Sequence, residues 1–311
     1  MNKDIIFLNP VCTHNIWGGT RLNREFGYPI EGDDIGECWG ISAHPNGDGT
    51  VASGAYKGMK LSELWEKHPE LFGDTGMERF PLLVKIIDAK DDLSIQVHPD
   101  DAYAKVHENG SLGKTECWFI LDCKENATLV AGHNAKTKEE LEQMIHEGRW
   151  KEFIREIPIK PGDFIQIDPG TVHAIKGGTL LLETQQSSDI TYRVYDYDRL
   201  SGGKPRQLHI AQSIDVITVP AKSADNSVVH TEKKDDAIQQ LIQCPYYTVY
   251  RIDVEHRVET WQDKPFVLMS VVEGEGTLNG TPLKKGDHLI LPDGFGKVEL
   301  QGKMQIIAST I

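Results

Sequence analysis

Two pairs of polar residues lie beside apolar strands, at a spacing that puts each pair on one face. In "LSIQVHPDD" the pair is Gln96 and His98. In "GKTECWFI" it is Lys114 and Glu116. Alternate side chains of an extended strand point the same way, so each pair presents its polar groups together. An imidazole, a carboxylate, an amide and an amine placed in this way can bind a metal ion and transfer protons.

The stretch "PGDFIQIDPGTVHAI" adds a second histidine after a glycine-bounded turn. Gly162, Gly170 and His173 are similar in spacing to the second sequence motif of the cupins, small jelly-roll barrels whose metal-ligand histidine follows this turn. Four residues then become candidate ligands with nitrogen or oxygen donors and no sulfur: Gln96, His98, Glu116 and His173. Such a set suits Zn²⁺, and also Fe²⁺, Mn²⁺ or Co²⁺. A metal with at most four protein ligands still accepts a water or a substrate hydroxyl, which is the catalytic pattern.

His98 and Lys114 each have an ordinary explanation when taken alone. A single histidine is more often a hydrogen-bonded core or surface residue than a ligand, and the chain has 12 of them. A lone lysine beside a strand is usually solvated. The joint pattern favours the functional interpretation, because the polar pairs and the turn histidine accompany strands that otherwise alternate normally.

A carboxylate and a guanidinium follow in "LLLETQQSSDITYRVYDYDR". Glu183 ends an apolar strand and Arg193 begins an aromatic-rich one. Adjacent antiparallel strands of a barrel would bring both to the mouth that holds His173. A surface ion pair would contribute little. The functional interpretation is a carboxylate able to move a proton and a guanidinium able to hold an anion.

Short strands must position these residues, because most of the sequence consists of apolar or alternating runs divided by Gly, Pro and Asp. Examples are "FPLLVKIIDA", "CWFILDC", "DFIQIDPG", "TLLLETQ" and "FVLMSVVEG". The pattern predicts a mainly β fold. Helices are predicted in four stretches: "LSELWEKH", "DDAYAKVHE", "TKEELEQMIHEG" and "QLHIAQSIDVI". In the third, Thr137 is the predicted N-cap, Glu140 its capping-box partner and Gly148 the stop.

A weak internal repeat predicts two cupin-type jelly-roll barrels. "KGDHLILPDGFGKVE" repeats the Gly-Asp, strand and Pro/Gly-turn order of residues 161–175, but Lys297 stands where the histidine would be. A polar linker around residues 220–236 separates the two copies. We therefore predict a metal-binding domain over 1–225 and a second domain over 226–311 that lacks the metal histidine.

Composition excludes several classes of partner. The chain has 311 residues, 39% of them hydrophobic, and a net charge of −14 with no basic run, which argues against nucleic acid and anionic membranes as partners. A small phosphorylated ligand stays compatible, because a few local cations can override the global charge. Five cysteines without a C-x-x-C pair, and no long apolar segment, predict a reduced cytoplasmic protein. Oligomeric state is not predicted.

The motifs together resemble one known family. In chain order, "NIWGGTRL", "GECWGISAHPNG", "LSIQVHPDD", "GKTECW", "PGTVHAI" and "LETQQSSDITYRVYDYDR" are similar to the type I mannose-6-phosphate isomerases, most closely to their short bacterial form. The likeness runs from about Phe7 to the C-terminus. It implies a pair of cupin barrels and the reversible interconversion of mannose 6-phosphate and fructose 6-phosphate.

The resemblance also implies a role for each candidate residue. One zinc ion per subunit would be held by Gln96, His98, Glu116 and His173. The active-site lysine, arginine and cleft carboxylate of the family fall on Lys114, Arg193 and Glu183. The sequence departs from many long bacterial members at Gly113, where they have a histidine, so that histidine cannot be the proton shuttle here.

Aldose–ketose isomerisation moves one proton between C1 and C2 through a cis-enediol, so it needs a Lewis acid, a proton carrier and a stabilised oxygen charge. Glu183 and Lys114 are the candidates for the proton transfers, and Arg193 for a charge role close to the reacting carbons. Two other classes compete. A cupin dioxygenase could use two histidines and a glutamate to bind Fe²⁺, although Gln96 would occupy a position that oxygen chemistry needs open. A non-catalytic sugar-binding or regulatory cupin would not need the lysine, glutamate and arginine.

Overall fold

The computed structural model describes residues 4–222 and 228–311, and this part of the chain is mainly β, as predicted. Its strands form three large antiparallel sheets and one hairpin, numbered here in chain order. The largest sheet has nine strands: β1 (Ile6–Asn9), β4 (Thr50–Val51), β17 (Ala237–Gln243), β18 (Thr248–Val254), β19 (Arg257–Gln262), β20 (Phe266–Leu278), β21 (Thr281–Lys284), β22 (His288–Pro292) and β23 (Gly296–Thr310).

The other sheets build the part of the molecule that carries the candidate ligands. The seven-stranded sheet has, in spatial order, β16 (Val228–His230), β10 (Asp163–Ile167), β7 (Glu116–Cys123), β12 (Thr179–Gln186), β5 (Leu82–Ala89), β2 (Val11–Gly19) and β3 (Ile35–Ile41). The five-stranded sheet has β13 (Tyr192–Tyr195), β6 (Ile95–Val97), β11 (His173–Ala174), β8 (Thr128–His133) and β9 (Ile154–Pro158). The hairpin has β14 (Leu200–Ser201) and β15 (Lys204–Pro205).

The seven- and five-stranded sheets face each other, and we call this pair the first sandwich. Buried Trp118, Ile165 and Leu181 of one sheet pack in the same apolar cluster as Leu129 and Ala131 of the other. Burial of such side chains between two sheets is the main force that holds them together. Within the described residues the sheets stay separate and do not close into hydrogen-bonded barrels. The double-sheet form of a jelly roll is therefore the accurate description.

Four of the helices were predicted from sequence: α2 (Leu61–Lys67), α3 (Asp101–His107), α4 (Lys138–His146) and α6 (Ile210–Val216). The periodicity did not reveal three shorter ones: α1 (Arg21–Phe26), α5 (Trp150–Phe153) and a 3₁₀ helix (Pro69–Phe72). Segments of four to six residues are too short for a helical repeat to show. No helix in the described ranges is both long and apolar enough to cross a bilayer.

Helix α4 supports the five-stranded sheet from its outer side. Thr137 Oγ1 accepts a hydrogen bond from the Glu140 N–H at 3.2 Å, as the capping prediction requires. The Glu140 carboxylate accepts from the Lys136 N–H at 2.7 Å, one residue before the position that a standard capping box uses. Three side chains of the helix pack behind β6 and β8: Leu141, Met144 and Ile145. The strand that carries Gln96 is thus held rigidly from behind.

The predicted domain boundary between 225 and 226 lies outside the described residues, and the division stays a prediction. The sheets on either side of it exchange strands. β1, from the start of the chain, pairs with β22 through Ile6 and Ile290. β16, which follows the boundary, pairs with β10 through Val229 and Phe164. The two parts of the chain therefore share hydrogen-bonded edges.

The predicted repeat is visible in the backbone of both copies. Four glycines at matching turns have left-handed φ angles of +89°, +80°, +93° and +66°: Gly162, Gly170, Gly286 and Gly294. A residue with a side chain adopts this conformation only at a cost. In the second copy, exposed Lys297 pairs with Glu259 at 2.8 Å rather than facing a ligand cluster.

Candidate metal centre and active site

The candidate ligands come from three strands that only the folded sheets bring together. Ile95 and Val97 of β6 are buried against the helices, so Gln96 and the following His98 face the opposite way, into the first sandwich. His173 on β11 is paired in register with Gln96. Glu116 reaches the same point from β7 in the facing sheet.

The donor atoms converge within a few ångströms. The Nε2 atoms of His98 and His173 are 3.1 Å apart. Glu116 Oε2 lies 3.3 Å from His98 Nε2, and Glu116 Oε1 lies 3.2 Å from His173 Nε2. One ligand atom from each of these three residues lies within 4.8 Å of the others, and the described residues contain no second group of this kind. All three side chains are buried.

Gln96 adjoins this cluster as the fourth predicted ligand. Its amide nitrogen lies 3.3 Å from His173 Nε2, and its amide oxygen lies 3.4 Å from Ser94 Oγ. Ligation needs the amide oxygen on the cluster side. A rotation of the amide by half a turn exchanges the two atoms without moving the rest of the side chain. The side chain thus lies within reach of the cluster, and the orientation of its amide decides which atom faces it.

The arrangement fits a divalent cation. His173 Nδ1 lies 2.8 Å from the Thr171 carbonyl oxygen, to which its N–H donates, so the Nε2 lone pair points into the cluster. Lys114 Nζ pairs with Glu116 Oε2 at 3.0 Å, while the buried Oε1 faces the His173 Nε2 lone pair at 3.2 Å and accepts no hydrogen bond from the described residues. A buried carboxylate oxygen that faces a lone pair is costly unless a further cation lies between them. Two imidazole nitrogens and this carboxylate oxygen supply donors that a metal would use.

Burial and neighbouring charges together set the protonation states of these groups. Burial alone would raise the pKa of Glu116, but the charge of Lys114, 3.0 Å away, and the two imidazoles hold that pKa well below its usual value. Burial lowers the pKa of His98 to about 3, helped by the positive charge of Lys114. The cluster thus contains an ionised carboxylate and a neutral His98, the protonation states that metal binding requires.

Glu183 on β12 is a second buried carboxylate with different properties. Its Oε2 accepts a hydrogen bond from Trp118 Nε1 at 2.9 Å, and its Oε1 lies 3.6 Å from Lys85 Nζ. Burial and the negative charge of Glu116 raise the pKa of Glu183. Lys114 opposes this effect. The pKa values of the two neighbouring carboxylates are thus shifted in opposite directions. This is common where one carboxylate stays ionised and the other transfers protons.

Arg193 lies beside the ligand strand, since β13 pairs it with Gln96. Its guanidinium donates from Nε to Ser94 Oγ at 3.3 Å and from Nη1 to the Gln207 carbonyl oxygen at 2.9 Å. The predicted pairing of adjacent strands for Glu183 and Arg193 is wrong. β12 and β13 belong to different sheets, because the residues between them cross from one sheet to the other. The two side chains line one cleft from opposite walls.

Lys85, Glu37 and Trp39 form a group in the cleft that sequence reasoning did not identify. Lys85 Nζ lies 3.5 Å from Glu37 Oε2 and 4.8 Å above the Trp39 ring. Trp39 Nε1 donates to Glu37 Oε2 at 2.6 Å. One signal was available, because Lys85 is the sole charge inside the apolar run "PLLVKII". A lysine at the centre of a fully buried strand needs charged partners.

These residues line a cleft of about 180 Å³ at the edge of the metal cluster, together with Gln96 and Lys114. A larger, shallow groove of about 840 Å³ lies elsewhere, between β20, β21 and β23. We place the functional site in the smaller cleft. Among the described residues, only this cleft has buried ionisable groups with displaced pKa values beside candidate metal ligands.

Comparison with known proteins agrees with this geometry. Residues 5–119 match the family model "Phosphomannose isomerase type I, catalytic domain", and residues 237–311 match "Mannose-6-phosphate isomerase, cupin domain". The mannose-6-phosphate isomerase ManA of Bacillus subtilis is 51% identical over 99% of both chains. The chain belongs to the type I mannose-6-phosphate isomerase family. A family member from Streptococcus mutans is 48% identical over 98% of this chain and 97% of its own.

Solved structures of the family extend the agreement to the whole fold. A crystal structure of the mannose 6-phosphate isomerase from Bacillus subtilis superposes with a TM-score of 0.94 at 50% identity, covering 99% of this chain and 100% of that one. A variant of the phosphomannose isomerase from Salmonella typhimurium shares the fold alone, with a TM-score of 0.81 at 16% identity over 99% of each chain. The predicted membership of the family is therefore confirmed.

Proposed function

We propose that this protein is a mannose-6-phosphate isomerase, which interconverts D-mannose 6-phosphate and D-fructose 6-phosphate. The observation that carries the proposal is the buried cluster of His98, Glu116 and His173 at the edge of a cleft lined by Lys114, Glu183 and Arg193. The names of the relatives that match over nearly the full chain support it.

We propose that one zinc ion per subunit is held by the four predicted ligands: Gln96, His98, Glu116 and His173. The Glu116 Oε1 atom without a hydrogen bond and the inward lone pair of His173, 3.2 Å from it, support a cation at this point. A divalent ion bound there supplies Lewis acidity towards the sugar oxygens next to the reacting carbons.

Glu183 and Lys114 are suited to the proton transfers between C1 and C2. The charges of Glu116 and Glu183 raise the pKa of Lys114 despite its burial, so its amine stays protonated and can donate to an oxygen. Burial raises the pKa of Glu183, which makes its carboxylate a stronger base than an exposed glutamate. We assign it to accept the proton from carbon. As a protonated acid it returns this proton to the neighbouring carbon on the same face of the cis-enediol.

Arg193 is suited to holding the negative charge that develops on oxygen during enolisation. Its guanidinium is fixed by Ser94 and the Gln207 carbonyl, so no reorganisation is needed when the charge appears. We further propose a reduced cytoplasmic setting, which the five free thiols support.

The decisive experiment is a coupled assay of the purified protein on mannose 6-phosphate, before and after treatment with a chelator. We expect fructose 6-phosphate to form, the activity to disappear on chelation, and zinc to restore it. Full activity in a preparation shown by elemental analysis to be free of metal would refute the metal-dependent proposal.

The same assay under anaerobic conditions separates the isomerase from a cupin dioxygenase, because isomerisation consumes no oxygen. A sugar-binding protein without catalysis would bind mannose 6-phosphate and form no product. Activity that requires oxygen, or binding of mannose 6-phosphate without any product, would remove the isomerase from consideration.

A further inference from the structure

The cleft has a positively charged end, of which the proposed chemistry uses only Arg193. Asp196, only 4% exposed, accepts a hydrogen bond from Arg199 Nη2 at 2.6 Å and two from Arg206, from Nε at 2.7 Å and from Nη2 at 2.5 Å. Arg193 lies close enough that the charge of Arg206, after burial, lowers its pKa. One carboxylate therefore faces three guanidinium groups, and the balance at this end is positive.

The three arginines differ in what they leave available. Arg199 uses every nitrogen on protein acceptors: Nε on the Asp196 carbonyl oxygen at 3.2 Å, Nη1 on the Asp92 carbonyl oxygen, and Nη2 on the Asp196 carboxylate. Arg206 uses Nε and Nη2 on Asp196, which leaves Nη1 without an acceptor among the described residues. Arg206 lines the cleft and Arg199 does not. Arg193 also lines the cleft, and no described residue accepts a hydrogen bond from its Nη2, but it lies beside Gln96, so Arg206 is the fixed arginine that remains for the far end of a ligand.

The chain segment that carries these arginines folds back on itself. Tyr197 and Asp198 have left-handed φ angles of +56° and +55°, a conformation that residues with side chains seldom adopt. The hairpin of β14 and β15 follows, so that Arg199 and Arg206, at its two ends, meet the same carboxylate. Asp196 therefore fixes the position of Arg206 through both ends of the hairpin.

The distance from the metal cluster to this positive end is bridged by a short chain of contacts. Ser94 Oγ lies 3.4 Å from Gln96 Oε1 and 3.3 Å from Arg193 Nε. Arg193 in turn neighbours Arg206 across the cleft lining. A ligand whose reacting carbons lie at the cluster would extend its far end past Arg193 towards Arg206.

We propose that Arg206 binds the phosphate group of the substrate, with Asp196 and Arg199 as positioning residues. The inference rests on the proposed function, because it assigns the far end of the same substrate. A protein of net charge −14 repels a phosphate dianion at long range, so recognition needs local cations. A guanidinium fixed by a carboxylate presents its remaining N–H groups to a phosphate oxygen without a further ordering cost.

The test compares mannose 6-phosphate with unphosphorylated mannose in the wild type, Arg206→Gln and Arg206→Lys. We expect Arg206→Gln to raise the KM for mannose 6-phosphate by about 30-fold with a smaller change in kcat, since it loses a charge-assisted contact. The ratio of kcat/KM between the phosphorylated and unphosphorylated sugars should fall by a similar factor. Arg206→Lys keeps the charge, so its loss should be about 5-fold.

Inorganic phosphate supplies a second readout as a competitive inhibitor. Its inhibition constant should rise about 10-fold in Arg206→Gln. Arg257→Gln is the matched control, because Arg257 is exposed and pairs with Glu259 and Glu299 on the nine-stranded sheet. It should keep the wild-type values. Should Arg206→Gln not fold, the KM of Arg206→Lys and its phosphate inhibition decide the question.

An unchanged KM for mannose 6-phosphate in a folded Arg206 variant would overturn the inference and leave the isomerase proposal standing. A fall in kcat alone would also overturn it, because it would place Arg206 at the chemistry rather than at the phosphate. A wild-type protein that does not isomerise mannose 6-phosphate at all would instead overturn the proposed function.

Discussion

His98 and His173 face each other through Nε2 atoms that lie 3.1 Å apart in the buried centre of the first sandwich. The other nitrogen of His173 donates to the Thr171 carbonyl oxygen, so its Nε2 has only a lone pair to offer. The carboxylate of Glu116 completes the group: Lys114 pairs with its Oε2 at 3.0 Å, while its Oε1 lies 3.2 Å from the His173 Nε2 and accepts no hydrogen bond from the described residues. Groups of this kind repel or remain unsatisfied unless a cation lies between them.

Replacement of His98 tests this interpretation directly. In His98→Ala we expect the bound metal to fall to about a tenth of the wild-type content or less, with loss of activity, because a ligand inside the cluster is removed. Elemental analysis of the dialysed protein measures the content. His68→Ala removes a more exposed histidine, which directly follows α2 and pairs with Glu70 at 3.1 Å, and the variant should keep its metal. Full metal occupancy in His98→Ala would contradict the ligand assignment.

Arg193→Ala should separate catalysis from metal binding. We expect kcat/KM to fall by about 100- to 1000-fold, which corresponds to roughly 3–4 kcal/mol of lost transition-state stabilisation, while the metal content stays unchanged. Steady-state kinetics and elemental analysis on the same preparation provide the two measurements. Near-normal turnover would remove Arg193 from the active site, and loss of metal would assign it a structural role instead.

Gly113 shows why this chain has no histidine before Lys114. A Cβ atom at this position would lie 2.4 Å from the Asp100 carbonyl carbon and 2.5 Å from the Asp101 nitrogen, and backbone atoms cannot move aside cheaply. We expect Gly113→His and Gly113→Ala to lower the free energy of unfolding by about 1–3 kcal/mol. Urea denaturation measures the change, with Ser111→Ala as control. A Gly113→His variant as stable as the wild type would show that the loop has room for the histidine.

His288 should contribute to acid sensitivity. Burial lowers the pKa of His288 to about 3, while its ring bonds to Tyr28 Oη at 2.7 Å and Ser270 Oγ at 2.8 Å. The unfolded chain binds a proton at this histidine below about pH 6.5, and the folded chain does so only near pH 3. The contribution is therefore complete above pH 6.5 and is lost as the pH falls, by about 1.4 kcal/mol per unit.

The measurement is the free energy of unfolding between pH 7 and pH 4 for the wild type and His288→Gln. The variant is less stable at neutral pH, because Tyr28 and Ser270 lose a partner. Its disadvantage should shrink by about 1 kcal/mol or more for each unit of acidification below pH 6. Parallel stability curves would show that His288 takes up its proton at the same pH in the folded and the unfolded chain, which would contradict the prediction.

Local patterns predicted the pairs of candidate site residues that neighbour each other in the chain. Gln96 with His98, and Lys114 with Glu116, follow from the two-residue period of a strand, which holds in any fold. The turn before His173 can also be predicted from the sequence. Its backbone needs positive φ angles at residues 162 and 170, and this local requirement favours glycine. The same reasoning found the four longer helices and the mainly β class.

The tertiary structure alone decided how these pieces meet. The register that pairs His173 with Gln96, and the placement of Glu116 in the opposite sheet, join positions far apart in the chain. Nothing in a strand pattern states which strand is its neighbour, which is why the predicted adjacency of Glu183 and Arg193 was wrong. Lys85 and Arg206 gain their significance in the same way. A lone buried charge and a loop arginine become parts of a cleft only when nonlocal apolar burial packs the two sheets face to face.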